Sequence, residues 1–194
     1  PAAVLAEVID QCIEKRVRGA VVLTAVDGTG VDMAAIVDKA RRNGMRIIGP
    51  ASMGIATGRV RGEAPVEAGN DVPVGVQAAL VPVDLTAGGV AISLQSGSLG
   101  ASLLQLAAQM SMGLSWFVSL GDKSDVSGND LLQFWEDDER TRVIAIYTES
   151  FGNPRKFARI ARRVSRRRPI VAVRTGAAAL GTAAEDVQRA TPQA

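Results

Sequence analysis

The 194-residue chain carries 22 Lys and Arg against 20 Asp and Glu, a net charge of +2, which does not indicate a strongly basic nucleic-acid surface. It contains no histidine, so histidine metal sites, His-dependent triads and histidine acid–base chemistry are excluded from these residues. A single cysteine, Cys12, rules out an internal disulfide and is typical of a reducing compartment. No apolar run reaches the roughly 18 residues of a membrane span. We expect a cytoplasmic protein without a metal site, a membrane anchor or a nucleic-acid partner.

The first part of the chain predicts two helices that alternate with two strands. Apolar side chains recur every three or four positions over 4–15 and 31–43, the helical period. The runs 19–24 and 45–48 are short and nearly all apolar, typical of strands buried on both faces of a parallel sheet. A doubly wound nucleotide-binding domain starts with a strand and a glycine-rich turn. We therefore expect residues 1–60 to be the C-terminal half of such a domain, whose opening half is missing.

The middle of the chain predicts a domain boundary. Residues 61–86 contain scattered Gly, Pro and Val without a helical period, which indicates a linker with some extended edge structure. A second domain is expected over 87–194, with an irregular tail at its C-terminal end.

The second domain predicts a parallel sheet wrapped by helices. Apolar strands alternate with amphipathic helices along the chain: strands at 89–94, 116–120, 143–147 and 169–174, and helices at 98–112, 129–136 and 154–165. This alternation with right-handed crossovers gives parallel strands. Ligands of such sheets bind beyond the carboxyl ends of the strands, so the loops that follow these strands are the candidate site.

The turn Ser96-Gly97-Ser98 before Leu99 is the candidate anion site. Small residues let the backbone approach a ligand closely, and a helix that starts there presents unpaired N–H groups and a partial positive charge. Phosphate and carboxylate groups bind at such helix ends. A structural interpretation stays open beside it, because any parallel αβ unit needs a small turn and a serine N-cap.

Two further helices carry unusual patterns. Helix 98–112 has no charged residue, and Gln105 and Gln109 supply its polar face, so we expect part of it to contact another domain or subunit. The arginine-rich stretch 155–168 alternates with Phe157 and other apolar residues at helical spacing. We interpret it as the solvated basic face of an amphipathic helix rather than a nucleic-acid surface.

Four motifs together resemble one family. They are the turn Gly-Pro-Ala-Ser-Met-Gly at 49–54, Leu-Gln-Ser-Gly-Ser-Leu-Gly at 94–100, Val-Ser-Leu-Gly-Asp-Lys-Ser-Asp-Val at 118–126, and Tyr-Thr-Glu-Ser at 147–150. In this order and spacing they resemble the CoA-binding and ligase domains of NDP-forming acyl-CoA synthetases, relatives of the succinyl-CoA synthetase α subunit. Similar segments also occur in bacterial proteins that fuse this region to a GNAT acetyltransferase.

The resemblance implies an α/β fold: a partial Rossmann-like CoA-binding domain over 1–60, then a flavodoxin-like doubly wound parallel sheet over 87–194. It implies that Glu149 is catalytic and hydrogen-bonds the family's phosphorylated histidine. By residues alone, Glu149 is a strand-end acid that faces water. The other implied contacts are with phosphate, at Ser96, Gly97, Ser98 and Leu99, and with CoA, at Thr24, Gly49, Pro50, Ser52 and Gly54.

The chain also departs from the family. The family's histidine follows the strand matched by 169–174, whereas residues 175–186 contain none, and Ala51 replaces the usual asparagine. No ATP-grasp domain is recognised. We expect a truncated or degenerate synthetase module that binds CoA or acyl-CoA and phosphate, and that meets ATP or ADP with Mg only through an ATP-grasp domain or β-type subunit. The alternative is a non-catalytic regulatory or interaction domain, such as that of a GNAT-fused protein. A Rossmann dehydrogenase is disfavoured by the missing Gly-x-Gly turn.

Overall fold

A computed structural model describes residues 1–58, 76–80 and 85–175 of the chain. The predicted C-terminal tail and most of the histidine-free segment 175–186 lie outside the described residues, as does most of the predicted linker.

Five α-helices, a short 3-10 helix at Ala2–Val4 and eight strands make up the described regular structure. The helices are α1 (Leu5–Glu14), α2 (Met33–Arg42), α3 (Gly97–Gln109), α4 (Gly128–Asp137) and α5 (Pro154–Val164). The strands are β1 (Gly19–Val21), β2 (Arg46–Ile48), β3 (Gly54–Ala56), β4 (Gln77–Ala79), β5 (Ala87–Leu94), β6 (Leu114–Ser119), β7 (Val143–Thr148) and β8 (Ile170–Arg174). All helices and six of these strands lie within a few residues of their predicted positions.

The first part of the chain forms a small parallel unit. Strands β1 and β2 pair in parallel, with Ala20 opposite Ile47. Helices α1 and α2 pack around a shared core that includes Ile9, Ala40 and Ile47. Cys12 is half-buried against this core.

The second part forms a six-stranded sheet in the order β4-β3-β6-β5-β7-β8. Strands β5 to β8 are parallel, and their order, second-first-third-fourth, is that of a flavodoxin-like doubly wound sheet. The predicted α/β class with a mostly parallel sheet is confirmed. Strands β3 and β4 add an antiparallel edge on the side of β6. The predicted turn at 49–54 therefore leads directly into β3 of this sheet.

The pairing of β3 with β6 joins residues from the two predicted domains in one sheet. The division at residues 60 and 86, and the Rossmann-like nature of the first part, stay predictions.

The helices cover opposite faces of the six-stranded sheet. Helices α4 and α5 pack on one face through a core that includes Leu132, Trp135 and Val164. Helix α3 packs on the other face against Leu94 and Phe117. None of the helices in the described ranges is long and apolar enough to cross a membrane.

Helix α3 also presents apolar side chains to the outside. Leu106 is 48% exposed, and Met110, immediately after the helix, is 63% exposed. These side chains are compatible with the predicted contact to another domain or subunit, which stays a prediction.

Candidate functional site

Three loops meet beyond the carboxyl ends of β5, β6 and β7. The register pairs Leu94 with both Ser119 and Tyr147, and the N–H of Leu120 donates to the carbonyl of Leu94 at 2.8 Å. Because the three strands are parallel and adjacent, the loops that follow them share one edge. This is the edge at which the alternation of strands and helices predicts the candidate site.

The first turn of α3 opens at this edge. Ser96 is the N-cap, and its Oγ accepts a long hydrogen bond of 3.5 Å from the N–H of Leu99. A Cβ added at Gly97 would lie 3.3 Å from the Cγ and Sδ atoms of Met53, so Met53 covers that side of the turn. Ser98 is exposed. Within the described ranges, the N–H groups of Gly97 and Ser98 have no protein acceptor. They are the groups an anion would meet.

Gln95 connects this turn to the end of β7. Its Oε1 accepts from the N–H of Glu149 at 2.8 Å and from the Lys123 ammonium at 3.4 Å. The Thr148 hydroxyl lies 2.5 Å from the same oxygen and 2.6 Å from the Ser150 carbonyl, and it can donate to either. The structure therefore brings Glu149 beside the start of α3, although the Glu149 residue itself is exposed.

Lys123 contributes a positive charge to this edge. It adopts a left-handed backbone conformation with φ 45°, and its Nζ donates to the Ser150 carbonyl and, at 2.9 Å, contacts the Ser150 hydroxyl. Burial lowers the pKa of Lys123, and the nearby negative charge of Glu149 opposes that shift. Burial, with the charges of Asp27 and Glu149, raises the pKa of Asp122. The edge thus holds the partly desolvated ammonium of Lys123 near the carboxylates of Asp122 and Glu149.

The predicted CoA-binding residues lie next to this edge, in a tightly bonded loop. The N–H of Ala51 donates to the carbonyl of Thr24 at 3.0 Å, and the N–H of Asp122 donates to the carbonyl of Pro50 at 2.9 Å. Ser124 N–H donates to Gly49 O at 3.0 Å. The loop is thereby fixed against the segment that follows β6.

Ser52 and Gly54 end this loop and are buried. The Ser52 hydroxyl donates to the carbonyl of Ser119 at 2.6 Å and accepts from the N–H of Gly54 at 2.9 Å. These contacts give Ser52 a structural role at the start of β3. The CoA-binding role of Thr24, Gly49, Pro50, Ser52 and Gly54 stays a prediction.

Asp125 joins the first part of the chain to the second. Its side chain is fully buried, and its carboxylate accepts from Arg41 Nε at 2.6 Å, Arg46 Nε at 3.0 Å and the N–H of Ile47 at 2.7 Å. These donors lower the pKa of Asp125 although burial alone would raise it. Arg46 Nη2 also lies 3.5 Å from Asp130 Oδ1. This cluster holds α2 and β2 against the loop between β6 and α4.

Gln95, Lys123 and Asp125 lie within the family's motifs, but the sequence alone predicts no role for them. Each stands immediately after a predicted strand or in the loop that follows one, and this position at the edge of a parallel sheet was the available signal. Which residue each side chain contacts depends on the order of the strands, which the sequence alone left open.

Fold and site together define an α/β protein whose anion-accessible helix start lies at the carboxyl edge of a flavodoxin-like sheet. The model of the succinyl-CoA ligase-like flavodoxin domain matches residues 87–192. The chain belongs to this family.

Named relatives are ADP-forming CoA ligases. The chain is 32% identical to the α subunit of acetate–CoA ligase (ADP-forming) I from Pyrococcus furiosus, over 95% of this chain and 38% of the relative. It is 32% identical to the acetate–CoA ligase (ADP-forming) of Methanocaldococcus jannaschii, over 93% of this chain and 24% of the relative. The chain thus spans well under half the length of these relatives.

A solved structure shows the same similarity. It is a dinucleotide-forming acetyl-coenzyme A synthetase 1 from Candidatus Korarchaeum cryptofilum, in complex with phosphate and ADP. It superposes with a TM-score of 0.75 at 34% identity, and the match covers 90% of this chain and 36% of that one.

Proposed function

We propose that this chain is the CoA- and phosphate-binding part of an NDP-forming acyl-CoA synthetase. Such an enzyme converts acyl-CoA, phosphate and a nucleoside diphosphate into the acid, CoA and the nucleoside triphosphate. The observation that carries the proposal is the convergence of the open first turn of α3 with Gln95, Glu149 and Lys123 at one edge of the sheet. The relatives' names support the same reaction class.

In this proposal Ser96, Gly97, Ser98 and Leu99 bind the phosphate. The free N–H groups of the turn donate to the phosphate oxygens, and the dipole of α3 adds a partial positive charge. These dipoles are fixed in the fold, so they need no reorganisation when negative charge builds up. A helix end contributes about 0.3–2 kcal/mol, so it orients the phosphate and leaves most of the rate enhancement to other groups.

Glu149 is the proposed catalytic residue, as the acceptor for an incoming phosphorylated histidine. Its backbone is held by Gln95 at 2.8 Å, which fixes where its exposed carboxylate can reach. The 194 residues contain no histidine, so that histidine has to come from outside them. An ATP-grasp domain or β-type subunit is the proposed partner that supplies nucleotide with Mg.

CoA is the proposed second ligand, along Thr24 and the loop from Gly49 to Gly54. The support is that the Pro50 carbonyl accepts from Asp122 N–H, which places this loop beside the segment that carries Lys123. A thioester held along the loop can therefore approach the start of α3.

Two measurements test the proposal. Calorimetric titration of the chain with CoA, acetyl-CoA and phosphate is expected to give saturable binding of each. Incubation with ATP labelled on the γ-phosphate and an ATP-grasp partner is expected to leave this chain unlabelled, because it has no histidine. Stable label on this chain, or no binding of CoA and phosphate, contradicts the proposal.

A second candidate is a non-catalytic regulatory or interaction domain, such as one fused to a GNAT acetyltransferase. The absence of histidine from these 194 residues favours it if the full-length protein lacks that histidine too. A domain of this kind can bind acetyl-CoA without turnover. The two candidates separate when the chain is supplied with a histidine-bearing partner, because only a synthetase part then supports formation of the nucleoside triphosphate.

A further inference from the structure

The outer face of α5, with the turn that follows it, concentrates the positive charge of the chain. Eight of the 22 Lys and Arg fall within residues 155–168, a stretch that contains no Asp or Glu. The rest of the chain has 14 basic against 20 acidic residues. Phe157, Ile160 and Val164 pack against the core of the sheet, and the arginines between them are exposed. The basic face that the sequence predicts is therefore turned away from the sheet.

Five arginines of this face share one shallow groove on the surface. Its lining residues are Ala158, Arg155, Arg159, Arg162, Arg163 and Arg166. Arg163 is already paired, because its Nη2 lies 2.6 Å from Oε2 of Glu136 near the end of α4. The other four arginines have no acidic partner among residues 1–58, 76–80 and 85–175. We call these four the arginine row: Arg155, Arg159, Arg162 and Arg166.

The arginine row has the spacing of one side of a helix. Its members are four, three and four positions apart, so they follow each other along the axis of α5 and into the turn after it. From Arg155 to Arg162 the row is about 10 Å long, at about 1.5 Å per residue. Like charges at this spacing repel each other and destabilise a helix. Negative charges from another molecule would relieve this repulsion.

The surroundings of the arginine row disfavour a membrane as the partner. A helix that binds a lipid surface inserts apolar side chains into it. The apolar side chains of α5 pack against the sheet instead. None of the exposed large apolar side chains in the described part of the chain belongs to α5. The row thus offers charge to a partner without an apolar anchor.

The surroundings also disfavour nucleic acid. No aromatic side chain lines the groove, whereas stacking on aromatic side chains supports the binding of single strands. Glu136 and the exposed Asp137 lie beside Arg163 at the edge of the row. Their charges would repel the long phosphate backbone of a duplex, which extends past the row on both sides. A short acidic partner can contact the row alone.

We propose that the arginine row is a docking surface for an acidic α-helix of another protein. Carboxylates that are four, three and four positions apart on such a helix form a line that matches the row, and guanidinium groups donate to carboxylates in a bidentate geometry. Exposed ion pairs are individually weak and are screened by salt, so the contact is reversible and depends on ionic strength. The proposal does not depend on the proposed synthetase function.

The test titrates the full chain into two fluorescein-labelled alanine-based peptides and follows fluorescence anisotropy. The matched peptide carries four glutamates that are four, three and four positions apart. The scrambled peptide carries the same number at every second position, which places them on opposite sides of the helix. Both peptides contain the same side-chain cross-link, which keeps them helical. The matched peptide is expected to bind in a saturable way and several-fold more tightly than the scrambled one. Raising the salt from about 50 to about 150 mM is expected to weaken this binding several-fold.

Two double variants locate the contact. Arg159→Gln with Arg162→Gln is expected to weaken binding of the matched peptide about fivefold, as the loss of two exposed ion pairs does. The melting temperature is not expected to fall, because the change relieves repulsion between like charges. The matched control is Lys15→Gln with Arg18→Gln, which removes the same charge from exposed residues outside the groove. The control is expected to change the affinity less than about twofold, because distant charges are screened.

A short DNA duplex and vesicles of phosphatidylglycerol with phosphatidylcholine test the other kinds of partner. Any binding of these probes is expected to be the same in wild type and in the variant Arg159→Gln with Arg162→Gln. The proposal is overturned if the matched peptide does not bind in a saturable way, if the two peptides bind equally, or if this variant binds the matched peptide as tightly as wild type does. Duplex or vesicle binding that this variant loses overturns it as well, because the row then serves a nucleic acid or a membrane.

Discussion

Two regions at the same edge of the six-stranded sheet differ in how completely their polar groups are paired. At the junction between the first and second parts of the chain, the buried Asp125 carboxylate accepts from two arginines and from a backbone N–H. At the site edge, the N–H groups of Gly97 and Ser98 at the start of α3 have no protein acceptor within the described ranges. Lys123 there has a pKa lowered by burial, and the Glu149 residue is exposed.

The difference separates structural roles from ligand-binding roles within one set of loops. A buried charge with all its donors in place stabilises the packing of two parts of the chain, and removing one partner leaves the others unpaired. Groups left unpaired beside a sheet edge are free to pair with a ligand. Variants of the junction are therefore expected to change the free energy of unfolding, and variants of the site edge to change binding.

The largest expected effect on the free energy of unfolding is at Gly121, which follows β6 and lies against Pro50 at this junction. Its φ is +54°, and a Cβ there would lie 1.9 Å from the carbonyl oxygen of Pro50. Gly121→Ala is expected to lower the free energy of unfolding by more than about 4 kcal/mol, because backbone has to move. Urea denaturation measures it.

Gly152 is the matched control for Gly121. Its φ is +67°, but nothing lies within 4 Å of a Cβ there. Gly152→Ala is expected to cost only the left-handed strain of about 1–2 kcal/mol. Equal losses in the two variants would show that the close approach to Pro50 is not what constrains Gly121.

Asp125→Asn is expected to lower the free energy of unfolding by about 3 kcal/mol. Removing one partner of a buried pair typically costs 3–5 kcal/mol, and the lower end applies because Arg41 and Arg46 stay about half exposed. The control is Asp10→Asn, which breaks an exposed pair with Lys39 and is expected to cost at most about 1 kcal/mol. Losses of similar size would contradict a special role for Asp125.

Lowering the pH is expected to remove the contribution of Asp125 to the free energy of unfolding of the unmodified chain. The folded-state pKa of Asp125 is lowered, so its stabilisation is present above the unfolded value of about 3.9. It is lost as the pH falls through the lower folded-state pKa. The difference in unfolding free energy between wild type and Asp125→Asn is therefore expected to shrink from pH 7 to pH 3. A difference that stays constant over this range would contradict the assignment.

The sequence predicted the alternation of strands and helices because local periodicity determines it. It predicted the start of α3 as a candidate site for the same reason, since Ser96, Gly97 and Ser98 follow an apolar run directly. It did not predict β3 as part of the large sheet, because three residues beginning at Gly54 carry too little pattern and their pairing with β6 is a long-range contact.

Side-chain partners across the fold were also beyond the sequence. Arg41 and Asp125 are 84 positions apart, and only the packing of two units brings them together. Ser93 did carry a local signal, as a polar residue within the apolar run of β5. Its hydroxyl has no hydrogen-bond partner within the described part of the chain, and no local pattern specifies that.

Phosphate binding at the first turn of α3 is tested by calorimetric titration of two aspartate variants of that helix with inorganic phosphate. Ser98→Asp places a negative charge where the phosphate is proposed to bind, and Ser102→Asp places it one turn further along the same helix. Both serines are exposed. A negative charge near the N-terminus of a helix stabilises the helix by about 0.3–1 kcal/mol, so Ser98→Asp is not expected to destabilise the fold. Ser98→Asp is expected to lower phosphate affinity by about tenfold or more, by charge repulsion at close range, and Ser102→Asp to change it by much less. Equal phosphate affinity in wild type and Ser98→Asp would show that phosphate does not bind at this turn.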